Sequence, residues 1–195
     1  MIECGDIKIH QQEIDNITFR WRFLWQQISA WLREYMVVRK LKGNTEYLSQ
    51  VNYKILSIIN EFGSIMRIFF GDEAADKFIK IFTDYIMSFI NLIDALAEEN
   101  ISKANEAVEQ IYKNIGIISE YLFSINPFWD KVTLEKYLYT FTSMTIQEIN
   151  TFMSGDYKNS IEIFDRILNY SFTLGDFFAQ GAKKYLTYNV LILDS

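Results

Sequence analysis

Apolar residues recur at steps of three and four along most of this chain. Leu48, Val51, Ile55, Ile58, Phe62, Ile65 and Phe69 form one such series, and Ala104, Val108, Ile111, Ile115, Ile118, Leu122 and Ile125 form another. Ile17, Trp21, Leu24, Ile28, Trp31, Tyr35 and Val38 make a third. Each spacing draws one apolar stripe along an α-helix, which must be buried against a neighbour. Less regular series follow at Phe78–Leu96, Leu134–Phe141 and Ile161–Phe172. Helix-breaking residues punctuate the pattern at Gly43, Gly71, Glu98-Glu99-Asn100, Pro127 and Gly155, about 28 residues apart. Each interval therefore predicts one helix of about 25 residues, roughly 38 Å long, closed by a short turn. Six long helices with short connections must run antiparallel to their neighbours. The expected fold is an all-α, up-and-down bundle.

An internal echo at an offset of 56 residues reinforces this organisation. Tyr85 and Asn91 fall on Phe141 and Gln147, Ser102–Glu106 falls on Lys158–Glu162, and Glu120 falls on Asp176. The pattern predicts a single domain, 1–195, of three tandem αα-hairpins over 12–186. Ile7-Lys8-Ile9 and Tyr188–Ile192 alternate or run apolar outside a helical frame. They predict extended tails over 1–11 and 187–195, packed across the bundle.

Composition narrows the chemistry. Half of the 195 residues are hydrophobic and 16% aromatic, with one Pro and eight Gly, so the chain is neither disordered nor low-complexity. A single Cys excludes a disulfide framework and a cysteine-based zinc module. A single histidine, His10, removes most histidine-based catalysis, and with Cys4 it supplies at most half a metal site. The net charge of −6 argues against a nucleic-acid partner. No apolar run is long enough to span a bilayer, since the best candidates are interrupted by Asp84, Asp94 and Glu120. The acidic start at Glu3 and Asp6 is unlike a signal peptide, so the cytoplasm is the expected compartment.

No nucleophile triad, phosphate-cradling glycine loop or dinucleotide fingerprint occurs. Gly63, Gly116 and Gly175 stand alone inside helical patterns, where they predict close helix approach. Carboxylates remain as candidates. Glu61 and Glu148 lie beside apolar seams, and Asp165 and Asp176 are eleven residues apart, close to three turns, on one helix face. Buried acids need a cation or hydrogen-bond donors; Arg33, Arg67, Arg166, Tyr85 and Tyr170 are available. The run Arg39-Lys40-Leu41-Lys42 suits a helix C-terminus.

Three motifs carry a resemblance. Leu24-Trp25-Gln26-Gln27-Ile28-Ser29-Ala30-Trp31-Leu32-Arg33, Phe69-Phe70-Gly71-Asp72-Glu73-Ala74 and Ile125-Asn126-Pro127-Phe128-Trp129 resemble an uncharacterised bacterial family of small all-helical proteins. Some members carry glycosyltransferase or acetylglutamate kinase labels, for which this sequence has no motif. The family is distantly similar to ferritin-like bundles, some of which hold iron. The resemblance implies histidine ligands where this chain has Ile28, Tyr85, Phe141, Leu168 and Tyr170, and acids where it has Asn91 and Gln147. Asn114, Glu148, Asp165 and Asp176 retain the family pattern. Tyr85, Asn91, Asn114, Phe141, Gln147, Glu148, Asp165, Tyr170 and Asp176 are therefore expected to converge as a degenerate site without cofactor or metal. The leading functional expectation is a non-enzymatic binding or self-assembling bundle. The alternative is a ferritin-like metal protein ligated by carboxylates alone, an oxidoreductase or storage protein. Trp25, Phe70, Phe128 and Tyr157, at helix ends or off the stripes, predict exposed aromatic surface and a homodimer, to which the tail or first helix contributes. The residues identify no small-molecule or protein partner.

Overall fold

A computed structural model describes residues 4–193, with side chains described from 16 to 188. It is all-helical: α1 (Cys4–Lys40), α2 (Thr45–Ala97), α3 (Ile101–Ile125), α4 (Lys131–Met153) and α5 (Tyr157–Leu193). No strand occurs among the described residues. α2 packs most extensively on α3 and on α1, and α5 lies between α1 and α4.

The boundaries follow local chemistry. Asn44, Asn100, Asp130 and Asp156 each turn a side-chain oxygen back onto backbone N–H groups of the next helix, at 2.8 to 3.3 Å. These caps satisfy donors that a helix N-terminus leaves free. Asn44, Asn100 and Asp156 recur at the 56-residue offset. At the same junctions, the N–H groups of Gly43, Asn100 and Asp156 reach back to the carbonyls of Val38, Ala95 and Thr151 at 2.8–3.0 Å, closing the preceding helices.

Five elements form where six were expected, because the break at Gly71 lies inside α2. Gly71 has φ 80° and ψ 179°, a backbone state costly to residues with a Cβ. The chain reverses there. The Phe62 and Phe82 rings meet at 5.0 Å, Gly63 abuts Ile79, and Arg67 bridges Asp72 and Asp76 across the corner. The two halves of α2 thus lie side by side, and a single non-helical residue makes the turn.

The expected extended tails are also corrected. α1 begins at Cys4 and α5 runs to Leu193, so the described parts of both ends are helical. An isolated extended segment has no partner for its backbone hydrogen bonds, whereas extending an existing helix satisfies one per residue.

The core gathers where α1, both halves of α2, α4 and α5 meet. Trp25, 1% exposed, lies 5.2–5.6 Å from the rings of Phe62, Phe82, Phe141 and Phe178. It was expected on the outside; its position in the helical register places it on the inward face with Trp21, Ile28 and Leu32. Phe70 and Phe128 are half-buried, and only Tyr157 of that set is exposed. Trp129 anchors the α3–α4 turn, donating from Nε1 to the Phe178 carbonyl at 3.1 Å.

Candidate functional site

Among the described residues, a buried carboxylate lies between α1, α4 and α5. Glu148 lies on the inner face of α4, only 3% exposed. Its Oε1 accepts from Arg33 Nη1 of α1 and from Ser160 Oγ of α5, the latter at 3.1 Å. Arg33 Nη1 also reaches Ser160 Oγ at 3.2 Å. The guanidinium is held in place by the rings of Phe164, 4.6 Å away, and Phe152, 5.6 Å away. Ser29, Thr145, Ile149 and Phe164 help line a small enclosed space beside the carboxylate. Burial pushes the Glu148 carboxyl up to about 7, against the opposing pull of Arg33 and Ser160. The carboxyl therefore exchanges its proton near neutrality, beside a space no larger than about one water molecule.

A second, neutral polar pair sits deeper. Tyr85 Oη and Thr142 Oγ1 are 2.7 Å apart with both residues fully buried. Burial pushes the Tyr85 phenol upward, so it stays protonated. Nearby in α2 and α3, Asn114 Nδ2 donates to Ser88 Oγ at 3.1 Å, both buried.

The remaining expected site residues do not join these groups. Phe141 packs edge-on against Trp25. Tyr170 is half-buried, its ring 6.3 Å from Tyr137. Asp176 is held at the α1–α5 seam by Arg22 through two bonds of 2.6 and 2.8 Å, at a partly exposed position. Asn91, Gln147 and Asp165 are exposed. Asn91 and Gln147 line two separate open grooves, one between α2 and α3 and one between α4 and α5. The nine residues therefore do not converge. Six residues separate Tyr85 from Asn91 and Phe141 from Gln147, and six residues rotate a helix by about 240°, onto another face.

Two further acids have cations nearby. Asp94 accepts from Arg39 at 2.7 Å and from the Tyr35 hydroxyl at 3.1 Å. Burial first, and then Asp94, push that phenol up to about 12. Glu61 is exposed, 3.7 Å from Lys54. Among the described residues no group of three or more His, Cys, Asp and Glu is placed to hold a metal ion. The side chains of Cys4 and His10 lie outside the described residues.

The sequence flagged Glu148 and offered Arg33 among five possible partners for buried acids, but gave no sign of Ser160 or Thr142 as site residues. A hydroxyl at an inward position of an amphipathic helix is the only signal such residues carry. Among the described residues no helix is long and apolar enough to cross a membrane. No protein-family model, curated protein or solved structure matches the chain.

Proposed function

We propose that this chain is a non-enzymatic helical bundle that acts by self-assembly, as a homodimer of three tandem αα-hairpins of the ferritin-like type. The observation that carries this reading is what fills the positions where the resemblance implies histidine ligands. Ile28, Tyr85 and Phe141 are fully buried there among aromatic rings, and the one polar group they bring, the Tyr85 hydroxyl, is spent on Thr142. These three positions build core, and the other two, Leu168 and Tyr170, are half-buried. The two partly or fully buried acids that keep the family pattern, Glu148 and Asp176, are each bonded to an arginine. That pairing weighs against the second reading, a carboxylate-ligated metal protein of storage or oxidoreductase type, because a bound cation would have to displace both guanidinium groups.

Exposed aromatic surface supports assembly. Phe19 and Phe23 stack on the outer face of α1 at 5.9 Å, 66% and 45% exposed. Contiguous apolar surface of this kind marks an interaction site. Light scattering at micromolar concentration is expected to return a dimer, and elemental analysis after growth in iron- and manganese-supplemented medium a metal-free protein. A monomer would remove the assembly reading, and stoichiometric iron or manganese would establish the second reading in its place.

A further inference from the structure

The small space beside Glu148 is lined by polar groups from two helices. Ser29 comes from α1, Thr145 and Glu148 come from α4, and apolar side chains such as Leu32 and Phe164 close the rest. All three polar residues are buried. Ser29 stands one turn before Arg33 on α1, and Thr145 one turn before Glu148 on α4, so each pair shares a helix face. The bundle thus brings two hydroxyls and a carboxyl together where α1 meets α4.

The hydrogens of both hydroxyls are already committed. Ser29 Oγ donates to the Trp25 carbonyl at 2.8 Å, and Thr145 Oγ1 donates to the Phe141 carbonyl at 2.9 Å. Each oxygen keeps lone pairs that these bonds do not use. Ser171 Oγ lies 3.4 Å from Ser29 Oγ, but its own hydrogen goes to the Ile167 carbonyl at 2.9 Å. On Glu148, Arg33 and Ser160 both bond to Oε1, which leaves acceptor capacity on Oε2. The lining therefore offers acceptors and calls for a guest that donates. There is room for about one water molecule.

We propose that this space is a binding site for one internal water, which donates to Glu148 Oε2 and to Ser29 Oγ or Thr145 Oγ1. A buried water requires at least two polar partners, and the lining supplies them from both helices. Size alone admits two other guests, ammonium and sodium. Charge decides against them, because Arg33 already balances Glu148 and a second cation would be buried without an anion of its own. Water also serves both forms of the carboxyl, donating to the carboxylate and accepting from the acid. A cation serves only the first. Bound there, the water adds a link between α1 and α4 beside the Arg33–Glu148 pair, with bulk solvent still excluded.

The test is a high-resolution crystal structure of the full chain, joined to oxygen-17 relaxation dispersion in solution for the native protein and S29A/T145V. The native crystal is expected to show one peak at about 2.5–3.0 Å from Glu148 Oε2 and from a hydroxyl oxygen. In solution the double variant is expected to lose one long-lived water per chain. Its helix content by circular dichroism should stay native, because the two hydroxyls bond only to carbonyls of their own helices. A native crystal in which the space is empty would overturn the proposal without recourse to any variant. So would an anomalous peak there after soaking in thallium(I), which would establish a monovalent-cation site instead. A water that persists in the double variant would show that the hydroxyls do not hold it, and would overturn the assignment equally.

Discussion

Two buried polar centres lie within one bundle and are stabilised in opposite ways. Around Tyr85 the partners are neutral: a phenol and the Thr142 hydroxyl, ringed by Phe82 and Phe89 at 5.1 to 6.0 Å. Around Glu148 the partners are ions, with the serine hydroxyl of Ser160 completing the carboxylate. A neutral pair loses little hydration on burial and is insensitive to pH. A charged pair loses far more, and only attraction within a dry site offsets the cost. The centre nearest the middle of the bundle is neutral, whereas the charged one has Arg33 reaching partway to solvent, with 17% of its side chain exposed. Depth decides which solution is tolerated.

The comparison is broken most severely by removing what both centres share. Trp25 joins α1 to the rings of both halves of α2, of α4 and of α5. Trp25→Ala is expected to cost about 4 kcal/mol in urea unfolding, the range for emptying a buried aromatic site, and to weaken both centres together. Arg33→Met comes next and separates them. It keeps the stem packed on Phe164 and Phe152 but removes the charge, leaving Glu148 without its cation. At pH 8.5 the loss is expected to reach about 3 kcal/mol, typical of one buried partner removed. At pH 5.5 the carboxyl is protonated and the loss shrinks. A loss equal at both values would show that Arg33 contributes packing alone.

Glu148→Gln gives the pH dependence directly. The folded carboxyl titrates at about 7, above its ordinary value of 4.5. The folded state therefore holds this proton more tightly than the unfolded state does. The stability it contributes is complete below pH 4.5 and is lost as pH rises through 7. Over that window the native protein is expected to lose about 3 kcal/mol relative to Glu148→Gln. Paired urea titrations at pH 4.5 and 8 measure the difference, and parallel profiles for the two proteins would place the carboxyl at an ordinary value.

The sequence makes these centres legible unevenly. Breaks near Gly43, Asn100 and Gly155 can be read because a cap or a reversal needs particular residues there, and Asn44, Asn100 and Asp156 supply them. Gly71 also reads as a break. That one residue suffices to reverse the chain depends on Phe62 meeting Phe82 and on the Arg67 clasp, which no local pattern reveals. The lengths of α1 and α5 are misread because three alternating residues resemble a strand, and pairing is a property of the fold. Glu148 stands out beside Ile149, yet the choice of Arg33 over Arg67 or Arg166 spans 115 residues of chain. Asn91 and Gln147 show the opposite failure. Their offset from Tyr85 and Phe141 recurs faithfully in sequence, but helix rotation carries them to the surface.

Tyr85→Phe produces the smallest effect and gives the cleanest test of the neutral centre. The ring remains, so packing against Phe82 and Phe89 is kept. Only the bond to Thr142 is lost, and the Thr142 hydroxyl, fully buried, is left to find another acceptor. Thr145, one turn along the same helix, already bonds back to the Phe141 carbonyl at 2.9 Å, and Thr142 has the equivalent option toward Leu138. That rescue limits the loss to about 1 kcal/mol, the net value of one buried hydrogen bond. Neither group titrates below pH 9, because burial drives the phenol upward, so the loss should be the same at pH 5 and pH 8. A difference between those pH values as large as that for Arg33→Met would mean that the Tyr85 and Glu148 centres titrate as one network. Equal losses would establish that α4 carries two polar sites, Thr142 and Glu148, six residues apart, that act independently.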